Sequence, residues 1–230
     1  MAFAVLIVVG PGEREIARTA DFLESLFTYE PDTALVVLVD DSTQSRHLES
    51  QFTAPPSCHI ESFLNPRRGR GCGWGAGLTA GIISGLAWIQ KHGHSDFVLK
   101  ADTDTLIIGP FAEGVRAAFE RTPAIGMFGS YSKFPDRPLD PIQDRQHPPA
   151  FEKLLRQVTI WRRTHRPYPM LQIGYWGRFG KIRTIIRTGL LKGYALGECC
   201  QGGGYAVSRD AIDKMAEACY LEDPLLWLNT

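Results

Sequence analysis

The residues best placed to do chemistry in this 230-residue chain lie in FVLKADTDTLIIGPF, residues 97–111. Five residues of strand-forming sequence run straight into Asp102 and Asp104, one residue apart. A carboxylate beside a buried strand is costly unless something offsets its charge. Two carboxylates at i and i+2 past a strand end can turn towards one point. A hard divalent cation, completed by phosphate oxygens and water, would offset both. The structural alternative is that Asp104 caps the following turn while Asp102 is solvated.

Other segments carry similar potential. Asp40 and Asp41 end the apolar run Leu35–Val39, and Glu222 and Asp223 follow a helical stretch near the C-terminus. A carboxylate beside a hydroxyl can take its proton as the oxygen attacks; otherwise Glu222 and Asp223 are surface acids before Pro224, and Asp41 caps a helix. Arg67, Arg68 and Arg70 surround a turn before a helix rich in small residues. Guanidinium groups suit bidentate phosphate contact, and a glycine-flanked helix start welcomes anions. The alternative is a solvated basic turn. RGRGCGWG lacks the G-K-[ST] of a P-loop and does not follow a first strand as a dinucleotide fingerprint should. Gly202, Gly203 and Gly204 would let a backbone pass close to a ligand, or mark a hairpin or bulge.

The elements that must hold these residues alternate through the first 130 positions. Apolar runs at Phe3–Val9, Leu35–Val39, His59–Leu64, Asp96–Ala101 and Ala124–Phe128 read as strands. Helices are predicted over 14–29, where Ile16, Ala20, Leu23 and Phe27 recur at helical spacing, over GWGAGLTAGIISGLAWIQK, and over 111–121. STQSRHLESQF reads as a short capped helix, and GGGYAVSRDAI as a glycine-rich turn, a short strand and a helix. Unbroken apolar strands separated by helices imply an α/β fold, a mostly parallel sheet sandwiched by helices. Ligands bind such sheets beyond the carboxyl ends of the strands. Both Asp40–Asp41 and Asp102–Asp104 belong there.

Charge narrows the classes. Lys plus Arg and Asp plus Glu are each 25, so a general nucleic-acid binder, normally basic, is disfavoured. Within this neutral chain, residues 145–192 hold eleven Lys or Arg against one acid, Glu152. That segment could close over a diphosphate, hold an acceptor, rest on an anionic membrane, or simply be a solvated basic face. Five cysteines without regular spacing suggest free thiols in a reducing compartment. The N-terminal apolar run is too short to span a bilayer and lacks a basic flank, so it reads as a first strand. The expected location is cytoplasmic, with peripheral contact at the inner membrane face through 145–192 as an open alternative.

Three segments carry a family resemblance. FVLKADTDTLII resembles the strand-and-DxD segment of GT-A glycosyltransferases, and is similar to the K-V-D-D-D-T pattern of the fringe and β1,3-galactosyltransferase-like group. QGGGYAVSRDAI (201–212) resembles that group's G-G-x-G-Y-x-x-S-x-x-A stretch, and LEDPLLWL (221–228) resembles its x-E-D motif. VLVDDST and NPRRGRGCGWGAGLTAGI are more similar to the family-2 branch of the same fold. The resemblance covers most of 1–130 and 198–228. It leaves 131–197 unmatched.

This resemblance implies one GT-A-like domain over 1–230. Its parts would be a nucleotide-binding half (1–130), a basic insertion or lid (131–197) and an acceptor and catalytic segment (198–230). The implied activity is metal-dependent, inverting transfer of a hexose from a nucleotide sugar, UDP-linked, to a hydroxyl acceptor on a glycan, lipid or other molecule. Asp102 and Asp104 would hold Mn²⁺ or Mg²⁺. Asp40, Asp41, Arg70, Asp102, Gly202, Gly203 and Gly204 would bind the donor. Asp223 would be the base, with Glu222 orienting the acceptor. The family's histidine beyond x-E-D is missing, the last histidine being His165. A sugar-nucleotide-forming nucleotidyltransferase and a non-catalytic nucleotide-sugar-binding module are the rival expectations.

Overall fold

The computed structural model describes residues 2–69, 76–133 and 198–222. Its chain order is β1 (Ala4–Val9), α1 (Glu13–Tyr29), β2 (Leu35–Asp40), a 3₁₀ turn (Leu48–Ser50), β3 (His59–Leu64), α2 (Ala76–His92), β4 (Phe97–Ala101), α3 (Ala112–Arg121), β5 (Met127–Lys133), β6 (Glu198–Ser208) and α4 (Arg209–Glu217). The strands form one sheet in the order β3-β2-β1-β4-β6-β5. Strands β1 to β4 are parallel, whereas β6 is antiparallel to both β4 and β5. The sheet is thus α/β and mostly parallel, as the apolar pattern predicts.

Every residue of β1 and β2 is buried, because helices cover both faces. Phe3, Val5, Ile7 and Val9 pack with Phe22, Leu23 and Leu26 of α1 and Val115 of α3. Ala4, Leu6 and Val8 pack with Ile83, Leu86 and Ile89 of α2 and Ile212 of α4. The side-chain period of two sends alternate residues into two separate cores. Small residues set the closeness of α2: a Cβ on Gly81 would stand 2.9 Å from Val8 Cγ2, and one on Gly85 would collide with Leu6. The predicted small-residue helix packs on β1.

The chain steps outward from β1 to β3, then returns to place β4 on the other side of β1. Strand order therefore reverses between β1 and β4, where sheets of this kind open a crevice at their carboxyl ends. Beyond β4, the loop to α3 is tied down to α1: Ile107 N donates to Ser25 Oγ (3.1 Å), and Ala112 N to Glu30 Oε1 (2.7 Å). Phe111 N donates to the same Glu30 oxygen, so one carboxylate caps the start of α3.

Three expectations change. STQSRHLESQF forms only a single 3₁₀ turn, because Asp40 takes the backbone and side chain of Arg46, and His47 adopts φ 50°. The fifth strand begins later than Ala124–Phe128, at Met127, after a turn closed by Ile125 N donating to Thr122 O (2.9 Å). The triple glycine lies inside the 11-residue β6 rather than in a turn before it. Among the described residues, no helix is long and apolar enough to cross a membrane. The basic segment 145–192 lies outside the described residues.

Candidate active site at the carboxyl rim of the sheet

Asp102 leaves β4 half-exposed and Asp104 follows it exposed. The turn between them is built by local bonds: Thr105 N donates to Asp102 O (3.2 Å), and Asp102 N donates to Gly203 O (3.0 Å). Thr105 Oγ1 donates to the same Gly203 carbonyl (2.9 Å). Gly204 pairs with Ala101 across the β4–β6 ladder. The acidic loop and the glycine triplet, a hundred residues apart in sequence, are therefore adjacent.

The glycines mark where β6 leaves one neighbour while keeping the other. Against β5 the register jumps from Gly129–Tyr205 to Tyr131–Cys200, so residues 201–204 bulge from that ladder. Bulges at sheet rims re-aim backbone groups beside sites. Among the described residues, a Cβ on Gly203 would meet nothing within 4 Å, and one on Gly204 only Lys100 O at 3.9 Å.

What offsets the charge on Asp102 is a residue of β4 itself. Lys100 is 1 % exposed. Its Nζ donates to Asp102 Oδ1 and stands 5.7 Å from the ring centroid of Tyr205, its cross-strand partner. The sequence signal for it was the only charged residue in FVLKA. Thr103, buried between the two aspartates, donates its hydroxyl to Glu15 Oε2, and Arg18 pairs with the other Glu15 oxygen (2.9 Å). The first turn of α1 thereby fixes the acidic loop across the switch point.

At the tip of β2 both carboxylates are buried. Asp40 is spoken for: Arg46 Nη2 (2.6 Å) and Nε (2.9 Å) donate to its Oδ1, Arg46 N donates to Oδ2 (2.9 Å), and Ser42 N to Oδ1 (3.1 Å). Burial alone would raise the carboxyl pKa, but the hydrogen bonds and charge of Arg46, with Ser42 N, hold it below the usual carboxylate value. Arg46 Nη2 also donates to Gly10 O (2.9 Å), joining the β1 and β2 loops. Asp41 differs. Its N donates to Val9 O (2.9 Å), yet both carboxylate oxygens lack a hydrogen-bond partner among the described residues, as do Ser42 Oγ and Arg46 Nη1. Orphaned buried polar atoms are costly and call for an explanation.

The turn that follows β3 leans on this loop. Gly69 has φ +74°, and a Cβ there would stand 2.9 Å from Thr43 N. Arg67 N donates to Asn65 Oδ1 (3.1 Å), and Arg68 has φ 50°. Arg70 lies outside the described residues. At the C-terminal side, α4 starts beside the base of β4, where Arg209 N donates to Asp96 O (3.0 Å). Arg209 Nη1 (2.8 Å) and Nη2 (3.0 Å) donate to Gly93 O and Gln90 O at the end of α2. The helix then carries the chain back across the sheet to buried Leu221 and exposed Glu222. Asp223 lies outside the described residues.

As a donor set, Asp102 and Asp104 offer only hard carboxylate oxygens, which fit Mn²⁺ or Mg²⁺ held by one or two carboxylates together with a substrate's phosphates. No cluster of three or more His, Cys, Asp or Glu side chains forms among the described residues. Any such ion would therefore need ligands from beyond this pair. Burial pushes the Cys58 thiol up to about 11, which disfavours its thiolate form. Sequence reasoning singled out the acids and glycines of the rim. It missed Lys100, Arg46 and Glu15, which hold them.

No family model matches the chain, and no curated protein matches it in sequence. Solved structures do resemble it. S. aureus TarS 1–349, in complex with UDP-GlcNAc, is 19 % identical over 60 % of this chain, with a TM-score of 0.37. The mannosyltransferase PcManGT from Pyrobaculum calidifontis, in complex with GDP-Man and Mn²⁺, is 15 % identical over 57 %, with a TM-score of 0.39. Mouse xyloside xylosyltransferase 1, in its apo form, is 11 % identical over 98 %, with a TM-score of 0.46. This chain spans 37 % and 35 % of the first two proteins' lengths and 72 % of the third's.

Proposed function

We propose that this chain is a GT-A-type glycosyltransferase that moves a hexose from a UDP-sugar to a hydroxyl acceptor with inversion. The observation that carries this reading is the junction of two motifs at one point. The acidic loop of β4 is hydrogen-bonded to the glycine backbone of β6, on the strand that borders the point where strand order reverses. The resemblance of those same segments to DxD and G-G-x-G-Y supplies the class.

Asp104, with the oxygen of Asp102 not engaged by Lys100, would hold Mn²⁺ or Mg²⁺. The ion's contribution when bound is to neutralise charge that builds on the leaving diphosphate. Arg70 would face the same diphosphate. Gly202, Gly203 and Gly204 would lie along the donor sugar and the acceptor. At the nucleoside end, Asp41, whose carboxylate finds no partner among the described residues, would accept from base or ribose. Asp40 would act through Arg46, holding the loop in place.

Asp223 would take the acceptor hydroxyl proton while that oxygen forms its bond to the anomeric carbon. The bond from that carbon to the diphosphate oxygen breaks in the same step, so configuration inverts and UDP leaves. Glu222 would orient the acceptor. The basic and aromatic content of residues 145–192 would suit a glycan or anionic-lipid acceptor.

Calorimetric titration of UDP into wild type and Asp104→Asn, with and without Mn²⁺, tests the site. Mn²⁺-dependent binding should be present in wild type and absent in the variant. Equal affinity in both proteins would remove Asp104 as a ligand. Release of sugar from UDP-hexoses in the presence of Mn²⁺ separates an enzyme from a module that only binds.

A further inference from the structure

We propose that Lys100 is a resident counter-cation, one that keeps metal binding by the free protein weak until a diphosphate arrives. The inference rests on the reading of Asp102 and Asp104 as metal ligands, and adds a residue that governs them.

The observation is the ion pair itself. Lysine is almost never fully buried unless paired. Here Lys100 occupies an interior strand at 1 % exposure and directs Nζ onto Asp102 Oδ1, against the ring of Tyr205. Among the described residues, the Glu15–Arg18 pair balances itself, and Lys100 sets one positive charge against the two aspartates of the acidic tip. A divalent ion approaching Asp102 meets a carboxylate already neutralised by an ammonium in contact with it.

Two consequences follow from that balance. First, the ammonium paired to Asp102 offsets the charge that this carboxylate would offer a metal ion. A unit charge about 5 Å from a divalent ion weakens its binding by about tenfold, even with the full screening of bulk water. Second, a nucleoside diphosphate restores the missing negative charge, so metal and diphosphate should each bind poorly alone and well together. Such coupling is reciprocal by thermodynamic necessity. Lys100 thus makes the rim a site for a metal–diphosphate pair rather than for a free metal ion. It is a positioning residue, since it acts through Asp102.

The test follows unbound aqueous Mn²⁺ by electron paramagnetic resonance for wild type, Lys100→Met and Lys100→Arg, with and without UDP. Methionine keeps an unbranched apolar stem and removes the charge; Lys100→Gln serves the same purpose if Lys100→Met does not fold. In the absence of UDP, the neutral variant should bind Mn²⁺ about tenfold more tightly than wild type, and Lys100→Arg should match wild type. The gain in Mn²⁺ affinity on adding UDP should also be smaller in the neutral variant. Equal or weaker Mn²⁺ affinity in the neutral variant overturns the proposal, and the metal-site reading survives if Asp104→Asn still abolishes Mn²⁺ binding. No Mn²⁺ binding by any of these proteins, even with UDP, overturns both.

Discussion

Replacing Arg46 with methionine should unlatch the loop at the tip of β2. Asp40 is 1 % exposed and Arg46 17 % on their side chains, so this ion pair is nearly dry. The substitution removes the donors to Asp40 Oδ1 at 2.6 and 2.9 Å and the bond to Gly10 O at 2.9 Å. It leaves the backbone donors of Arg46 and Ser42 in place. Breaking a buried pair from one side costs about 3–5 kcal/mol, and the two surviving N–H donors argue for the lower end, about 3 kcal/mol. For a domain of this size that corresponds to a fall of about 6–12 °C in Tm. The pH dependence gives the sharper test. In wild type the folded carboxyl pKa lies below its ordinary 3.8, so its stabilisation is complete above that value and is lost as pH falls through the folded value. Without the Arg46 side chain, burial is opposed only by the two backbone donors, so the folded pKa should rise. The variant's deficit should therefore be largest near neutrality and shrink as pH falls towards about 4. Urea unfolding followed by circular dichroism at several pH values measures both quantities. A deficit below about 1 kcal/mol, typical of an exposed pair, or a deficit independent of pH would refute this account.

Asp223→Asn should bind UDP-sugar as wild type does and lose transfer by about 10²–10⁴-fold, the range for removal of a general base; retained transfer removes it from that role. Two glycine substitutions should behave in opposite ways. Gly85→Ala forces a methyl group into Leu6 and should cost about 1–3 kcal/mol in urea unfolding. Gly203→Ala meets nothing within 4 Å among the described residues, so its Tm should stay close to wild type while UDP-sugar affinity or transfer falls. A Gly203→Ala protein indistinguishable from wild type in both would place the ligand elsewhere.

The sheet was legible because strands buried on both faces must be apolar throughout. β1 and β2 announced themselves that way, and the carboxylates that end β2 and follow β4 stood out by contrast. Gly81 and Gly85 likewise showed that α2 packs closely. What stayed hidden was non-local. Arg46 follows Asp40 by six residues with no periodic signature, yet its claim on that carboxylate prevents the predicted helix from forming. The antiparallel return of β6 depends on pairing across a hundred residues, so its glycines looked like a turn when they are a bulge within a strand. Lys100 was visible in FVLKA, but nothing local says that its ammonium folds back along the strand onto Asp102.

These hidden contacts share a logic. Each rim loop is held by a polar bond to a neighbour: Arg46 to Gly10 O, Thr103 to Glu15, and Asp102 N to Gly203 O. Loops are ordinarily the mobile part of an α/β sheet, and electrostatic preorganisation requires groups that need not reorganise when charge develops. Here the bonded groups point inward and sideways. Asp104, which is exposed, and the bulged glycine backbone, open among the described residues, are left free to meet a ligand. A rim that merely closed the fold would have little reason to bury a lysine and stitch its loops together while leaving the Asp104 carboxylate exposed beside them. A rim that receives a phosphorylated ligand and an ion has such a reason, because fixed neighbours keep the ion's carboxylate from turning away when the ion is absent.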